Sequence, residues 1–167
     1  GEVMSLADHR RHVLLELPHE LYMPLDPVLD NLAKINMVGI LSHPERNSGI
    51  LADRKVLGPL VDAGCLMQVT GDSLTGTFGG RCQELAEWML TQGLVHFLAT
   101  DAHSPTARRP QWRKAFDRAA QLTDHATGLD LCCRDPACVA RGEDVPSGRR
   151  VVRRGGLASW LGFRKAG

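Results

Sequence analysis

Two short stretches bring chemistry-bearing side chains close together. "LSHPERN" (41–47) sets His43, Glu45 and Arg46 around Pro44, and "LATDAHS" (98–104) carries Asp101 and His103 two residues apart. A further carboxylate, Glu16, lies among leucines in "VLLELP" (13–18). Imidazole and carboxylate donors together suit manganese, iron or zinc and leave coordination positions for water and substrate. Arginine beside such donors suits phosphate, because its planar fork of N–H groups matches two phosphoryl oxygens. The chemistry these types support is metal-assisted phosphoester hydrolysis, in which bound ions lower the pKa of water and stabilise charge on the phosphoryl oxygens.

Each residue also has a plainer reading. His43 alone reads as a hydrogen-bonded structural histidine, and a D-x-H triplet arises by chance. If the strand continues through the triplet, Asp101 and His103 point to one face. Glu16 has two readings: an outward residue on a half-exposed strand, or a ligand, since a parallel strand is covered on both faces and a buried carboxylate needs a cation or several hydrogen bonds.

The elements that must position these groups alternate. Apolar, β-favouring runs occur at 12–18, 37–44, 64–71 and 94–103. Between them lie helical patterns: "DPVLDNLAKIN", with Asp26 as a cap and Pro27 at the first helical position, "LADRKVLGPLVDAG", closed by Gly64, and "RCQELAEWMLTQG", closed by Gly93. Such alternation predicts an α/β fold with a parallel sheet, either doubly wound or part of a β/α barrel. Ligands gather at the carboxyl ends of the strands in both, which is where Glu16, His43, Asp101 and His103 fall.

A chain of 167 residues, 43% hydrophobic and 23% charged, suffices for one substantial core. Its net charge of +1 gives no electrostatic case for nucleic acid, and no apolar run is long enough to span a bilayer, so a cytoplasmic protein is expected. Five cysteines, of which Cys132, Cys133 and Cys138 cluster, lack the paired C-x-x-C spacing of structural zinc and are expected as reduced thiols in apolar gaps. His96, inside an apolar run, reads as a satisfied core histidine, and Trp88 as helix packing. Gln68 and Ser73 are candidates for the site rim, and His19 for its mouth.

"LSHPERN", "MQVTGDSLTGTFG" and "LATDAHSPTARRP", in this order and spacing, resemble the bacterial manganese-dependent protein-tyrosine phosphatases of the PHP (polymerase and histidinol phosphatase) superfamily, the capsule and exopolysaccharide type. The likeness runs from about "VLLELP" to "ARGEDVP". It implies a distorted, TIM-like β/α barrel with parallel strands and outer helices, and hydrolysis of phosphotyrosine in proteins, the substrate being a membrane-associated tyrosine kinase of polysaccharide synthesis. It also implies manganese (Mn2+) as cofactor, two or three ions in the complete site, with iron or zinc as alternatives. By position, Glu16 matches a carboxylate bridging two ions, His43 and Asp101 match ligands of that pair, and His103 matches a ligand of a third ion. Arg46 and Arg108 match the phosphate-clamping arginines, with Arg109 as the fallback for Arg108.

The family's opening H-x-H strand and the acidic loop after it have no counterpart here, and the chain begins without methionine, so a fragment lacking the first strands of the barrel is expected. Residues 1–146 are then a partial metallophosphatase domain. From Ser147 the composition turns basic, with Trp160, Leu161 and Phe163 between glycines, which predicts a flexible tail at 147–167 suited to weak contact with an anionic membrane. A small-molecule phosphoesterase of the histidinol-phosphate type, or a truncated binding module without catalysis, are the other readings.

Overall fold

A computed structural model describes residues 4–106 and 112–152. Four parallel strands pair in chain order: β1 (His12–Leu15), β2 (Val38–Ser42), β3 (Leu66–Thr70) and β4 (Phe97–Ala99). The crossovers contain α1 (Asp26–Lys34), then α2 (Ser48–Ala52) and α3 (Leu57–Asp62), then α4 (Gly71–Leu74) and α5 (Gly80–Thr91). After β4 come α6 (Arg113–Leu122), α7 (His125–Leu129) and α8 (Asp135–Ala140). The alternation read from the sequence is therefore present as a mixed α/β fold, and among the described residues the sheet is open, with β1 and β4 as its edges.

Strand alternation divides the core. Leu41, Met67, Val69 and Leu98 pack against Leu29, Leu60, Leu85, Met89 and Ala115 of the crossover helices and α6. Ile40, Leu66 and Phe97 point the other way and meet Val139 and Val145 of the C-terminal segment. Helix ends follow from glycine: Gly64 and Gly93 take φ of 91° and 70° after α3 and α5. At Gly93 an added Cβ would also run into the Arg150 carbonyl oxygen.

Three local expectations need correction. The continuous helix expected over 51–64 is broken at Asp53, whose carboxylate accepts from the Lys55 amide and starts a separate 3-10 turn. The run "DHATGLDLCCRDPACVARG" (124–142) reads as helix interrupted at Pro136, but the helix does not stop there. A π-helical turn at Asp130–Arg134 leads directly into α8, with Pro136 two residues beyond it. The run 94–103 contributes only Phe97–Ala99 to the sheet, because Leu94 and Val95 are buried ahead of the ladder and the backbone turns at Asp101, φ 48°.

Residues 148–150 are strapped across the amino ends of the strands. His96 bonds the Gly148 carbonyl, Arg149 forks onto Asp62, the Arg150 amide donates to Gly93 O, and the Arg150 guanidinium meets Asp135. The stretch read as a tail, 147–167, contains this strap, and 153–167 lie outside the described residues. No helix among the described residues is long and apolar enough to cross a membrane. All five cysteines are free, Cys65 in the core and Cys133 exposed.

His96 is the satisfied core histidine expected. Its Nδ1 accepts from the Met67 amide at 3.0 Å, which leaves Nε2–H to donate to Gly148 O at 3.0 Å. Burial, then the Arg150 charge, lowers its pKa from 6.5 to about 4. A folded-state pKa below the unfolded one means the unfolded chain binds more protons between these values, so this stabilisation is full above about pH 6.5 and is lost as pH falls towards 4. The stability advantage of wild type over His96→Asn should therefore shrink by roughly 3 kcal/mol between pH 7 and pH 4, measured by denaturant unfolding. An advantage equal at both pH values contradicts the assignment. Comparison with the variant matters because buried Glu45, pushed up to about 7, titrates in the opposite sense over an overlapping range.

Candidate active site at the carboxyl ends of the strands

"HPERN" acts as a hub between three strand ends. His43 follows β2 in the left-handed region, φ 34°, and this reverses the chain into a 3-10 turn over Pro44–Arg46. Asp101, just past β4, is also left-handed. Bulky residues at positive φ are uncommon and costly, and such strain concentrates where a site demands it.

Each residue of the hub reaches a different partner. His43 Nε2 lies 3.2 Å from Glu16 Oε1, beyond β1. Arg46 Nη1 donates to Asp101 Oδ2 at 2.9 Å, and its guanidinium sits 4.3 Å from the centroid of the Phe78 ring. Glu45, fully buried, accepts at Oε1 from the Thr70 amide (2.9 Å) and the Ser73 hydroxyl (2.7 Å), at the junction of β3 and α4. Asn47 caps α2 by accepting from the Ile50 amide and donates from Nδ2 to the carbonyls of Pro18 and Leu21, holding down the loop after Glu16. That loop carries His19, whose ring stacks on His43 with centroids 5.5 Å apart.

The electrostatics agree with a donor role for His43. Burial first, then the Arg46 charge, lowers its pKa, against opposition from Glu16 and Asp101, so the ring is held neutral with a lone pair to offer. Glu45 is pushed up to about 7 by burial, against the lowering effect of its Ser73 and Thr70 hydrogen bonds.

The expected site residues are brought together in two pairs. Glu16 meets His43, and His103 Nδ1 lies 2.8 Å from the Asp101 carbonyl oxygen and 3.5 Å from its Oδ1. Two premises fail. Glu16 is 62% exposed rather than buried, because the ladder ends at Leu15 and β1 is an edge strand. The turn at Asp101 ends the extended run, so strand periodicity does not aim His103, which is itself 62% exposed. Arg108 and Arg109 lie outside the described residues.

Among the described residues no three His, Cys, Asp or Glu side chains converge as a metal site. The donors therefore suit a divalent ion in kind and in location, but do not complete its coordination. Ser73 does not line a rim, since it is fully buried beneath Glu45, and Gln68 donates to Ser42 Oγ at 3.2 Å. A cavity of about 640 Å³ opens at the opposite ends of the strands near Arg11, Met37 and Val145 and contains none of the four expected donors. Chemistry and not cavity size locates the site.

Sequence reasoning missed Asn47 and Phe78, and it noticed Glu45 in "LSHPERN" without giving it a role. Asn47 was readable as a helix cap before "SGIL". The pairings of Glu45 and Phe78 have no local signal, because their partners lie far along the chain.

The family described as "Capsular polysaccharide synthesis, CpsB/CapC" matches residues 1–141. CapC of Staphylococcus aureus is 34% identical over 108 residues, 64% of this chain and 42% of that protein. The tyrosine-protein phosphatase YwqE of Bacillus subtilis (strain 168) is 30% identical over 117 residues, 69% of this chain and 45% of that protein. The tyrosine-protein phosphatase CpsB of Streptococcus pneumoniae is 26% identical over 140 residues, 81% and 58% respectively. The chain thus spans about half the length of the curated relatives it matches. A solved structure, from work on YwqE and CpsB as "unique metal-dependent tyrosine phosphatases", superposes with a TM-score of 0.81 at 24% identity over 90% of this chain and 61% of that one, which establishes a shared fold.

Proposed function

The chain belongs to the CpsB/CapC family of capsular polysaccharide synthesis, and from that premise we propose that its protein hydrolyses phosphotyrosine in other proteins with a divalent metal, manganese first. The observation that carries this reading is the convergence beyond three strands of Glu16 on His43 and of Arg46 on Asp101. In this reading Glu16, His43, Asp101 and His103 are metal ligands. The set closes only with further donors, for which the length of the relatives leaves room, as it does for the remaining strands of a barrel.

When bound, the metal supplies a nucleophile from water at neutral pH and positive charge for the phosphoryl oxygens. The chain's own residues do the rest. Arg46 offers two parallel N–H groups to the phosphate, while Phe78 beneath the guanidinium fixes the plane of the fork. Without substrate Asp101 accepts from Arg46; a phosphoryl group would take over that donor, and Asp101 is among the residues that would hold the metal. Arg108 is the second clamp, and the phosphoprotein is a membrane-associated tyrosine kinase.

Phosphate release from a phosphotyrosine peptide by the full-length gene product, with manganese and with chelator, tests the reading. Turnover that manganese restores is expected, and a manganese-loaded protein that releases nothing rejects it. The missing third donor among the described residues favours a second outcome for these 167 residues alone, phosphate binding without turnover. Turnover of histidinol phosphate in preference to the peptide would move the substrate class to small phosphoesters.

A further inference from the structure

Glu45 is a carboxyl group kept at 0% exposure next to a site that does not need it as a ligand. Burying a carboxyl is costly, and an apolar side chain of similar size would pack at least as stably, so its presence calls for a reason other than stability. Its geometry supplies one. Oε1 receives both the Thr70 amide and the Ser73 hydroxyl, while Oε2 has no side-chain partner among the described residues, so its long-range bonding goes to one anchor. That anchor is the start of α4, 25 and 28 residues along the chain.

Glu45 sits in the middle of the Pro44–Arg46 turn, directly before Arg46. The turn leaves β2 through a left-handed His43 and has to aim Arg46 across to Asp101, 55 residues away. A three-residue 3-10 turn has too few internal hydrogen bonds to hold a fixed direction by itself. Asn47 secures the far end of the turn to the loop after Glu16, leaving its direction towards β3 to Glu45.

We propose that Glu45 is a positioning residue, whose hydrogen bonds to Thr70 and Ser73 clip the turn against the β3–α4 junction and thereby orient the Arg46 guanidinium. The proposal rests on reading Arg46 as the phosphate clamp, and it works through hydrogen bonding and not through charge. Glu45→Gln keeps an oxygen acceptor for both donors and rescues the function. Glu45→Ala removes the clip, and Ser73→Ala removes half of it.

The experiment follows the Arg46 Nε–Hε NMR signal and the affinity for inorganic phosphate in the full-length gene product, each variant made alone and with Arg46→Ala. In Glu45→Ala the Arg46 signal becomes mobile and phosphate affinity falls about 10-fold, with a smaller loss in Ser73→Ala and a wild-type signal in Glu45→Gln. In the Arg46→Ala background none of these substitutions lowers affinity further, which a general structural role would not produce. A rigid, wild-type Arg46 signal in folded Glu45→Ala overturns the proposal, and Ser73→Ala decides the matter if Glu45→Ala does not fold. Phosphate affinity indifferent to Arg46→Ala alone removes the clamp reading, while the contrast between Ala and Gln at position 45 still decides the positioning.

Discussion

On the proposed reading, His43→Ala is expected to lower the manganese-dependent kcat/KM for a phosphotyrosine peptide by at least about 100-fold, with manganese affinity falling alongside, since even partners standing behind a metal ligand typically cost 10- to 100-fold. The donor atom is well placed for this: Nε2 faces the Glu16 carboxylate at 3.2 Å, and burial keeps the ring neutral. Stability should move independently of activity. His43 is held at φ 34° with 6% exposure, so the backbone is strained and a polar ring is desolvated. Ala inherits the strain whereas Gly does not, and His43→Gly should be about 1 kcal/mol more stable than His43→Ala. Denaturant unfolding and manganese titration of both variants check this. Unchanged manganese affinity in either one removes His43 from the ligand set.

The order of elements was legible because it rests on local signals: apolar runs of strand length, helices closed by Gly64 and Gly93, and Pro27 in the first turn of α1. Strand ends were less so. Hydrophobicity reports burial, and Leu94 and Val95 are buried without joining the ladder. The exposure of Glu16 was invisible for a related reason, since an edge strand and a central one read alike when both are apolar. The residue types of the site were legible and their wiring was not. The sequence offers His43, Arg46 and Asp101 as candidate donors and a candidate clamp, but the links from Glu45 to Ser73, from Asn47 to Pro18 and from Arg46 to Asp101 join residues 28, 29 and 55 apart. No local pattern encodes such pairings, because the sheet register makes them.

Arg46→Lys isolates what the guanidinium adds beyond charge, and kcat/KM should fall by about 100-fold, close to the loss in Arg46→Ala. Lysine keeps the positive charge but replaces two parallel N–H donors with a point charge, and it loses the flat contact with Phe78, now 4.3 Å from the guanidinium carbon. Arg46 is only 16% exposed on its side chain and already holds Asp101 at 2.9 Å, so water compensates poorly for a lost donor. The ammonium can still meet Asp101, which leaves the fold intact and places the loss on phosphate recognition. Inorganic phosphate should inhibit Arg46→Lys far more weakly than wild type, while manganese affinity stays within about 3-fold, because none of the atoms removed belongs to a proposed metal ligand. If the lysine variant instead keeps wild-type kcat/KM to within about 3-fold, charge alone suffices at position 46, and the oriented fork that links Arg46 to Phe78 is not part of catalysis.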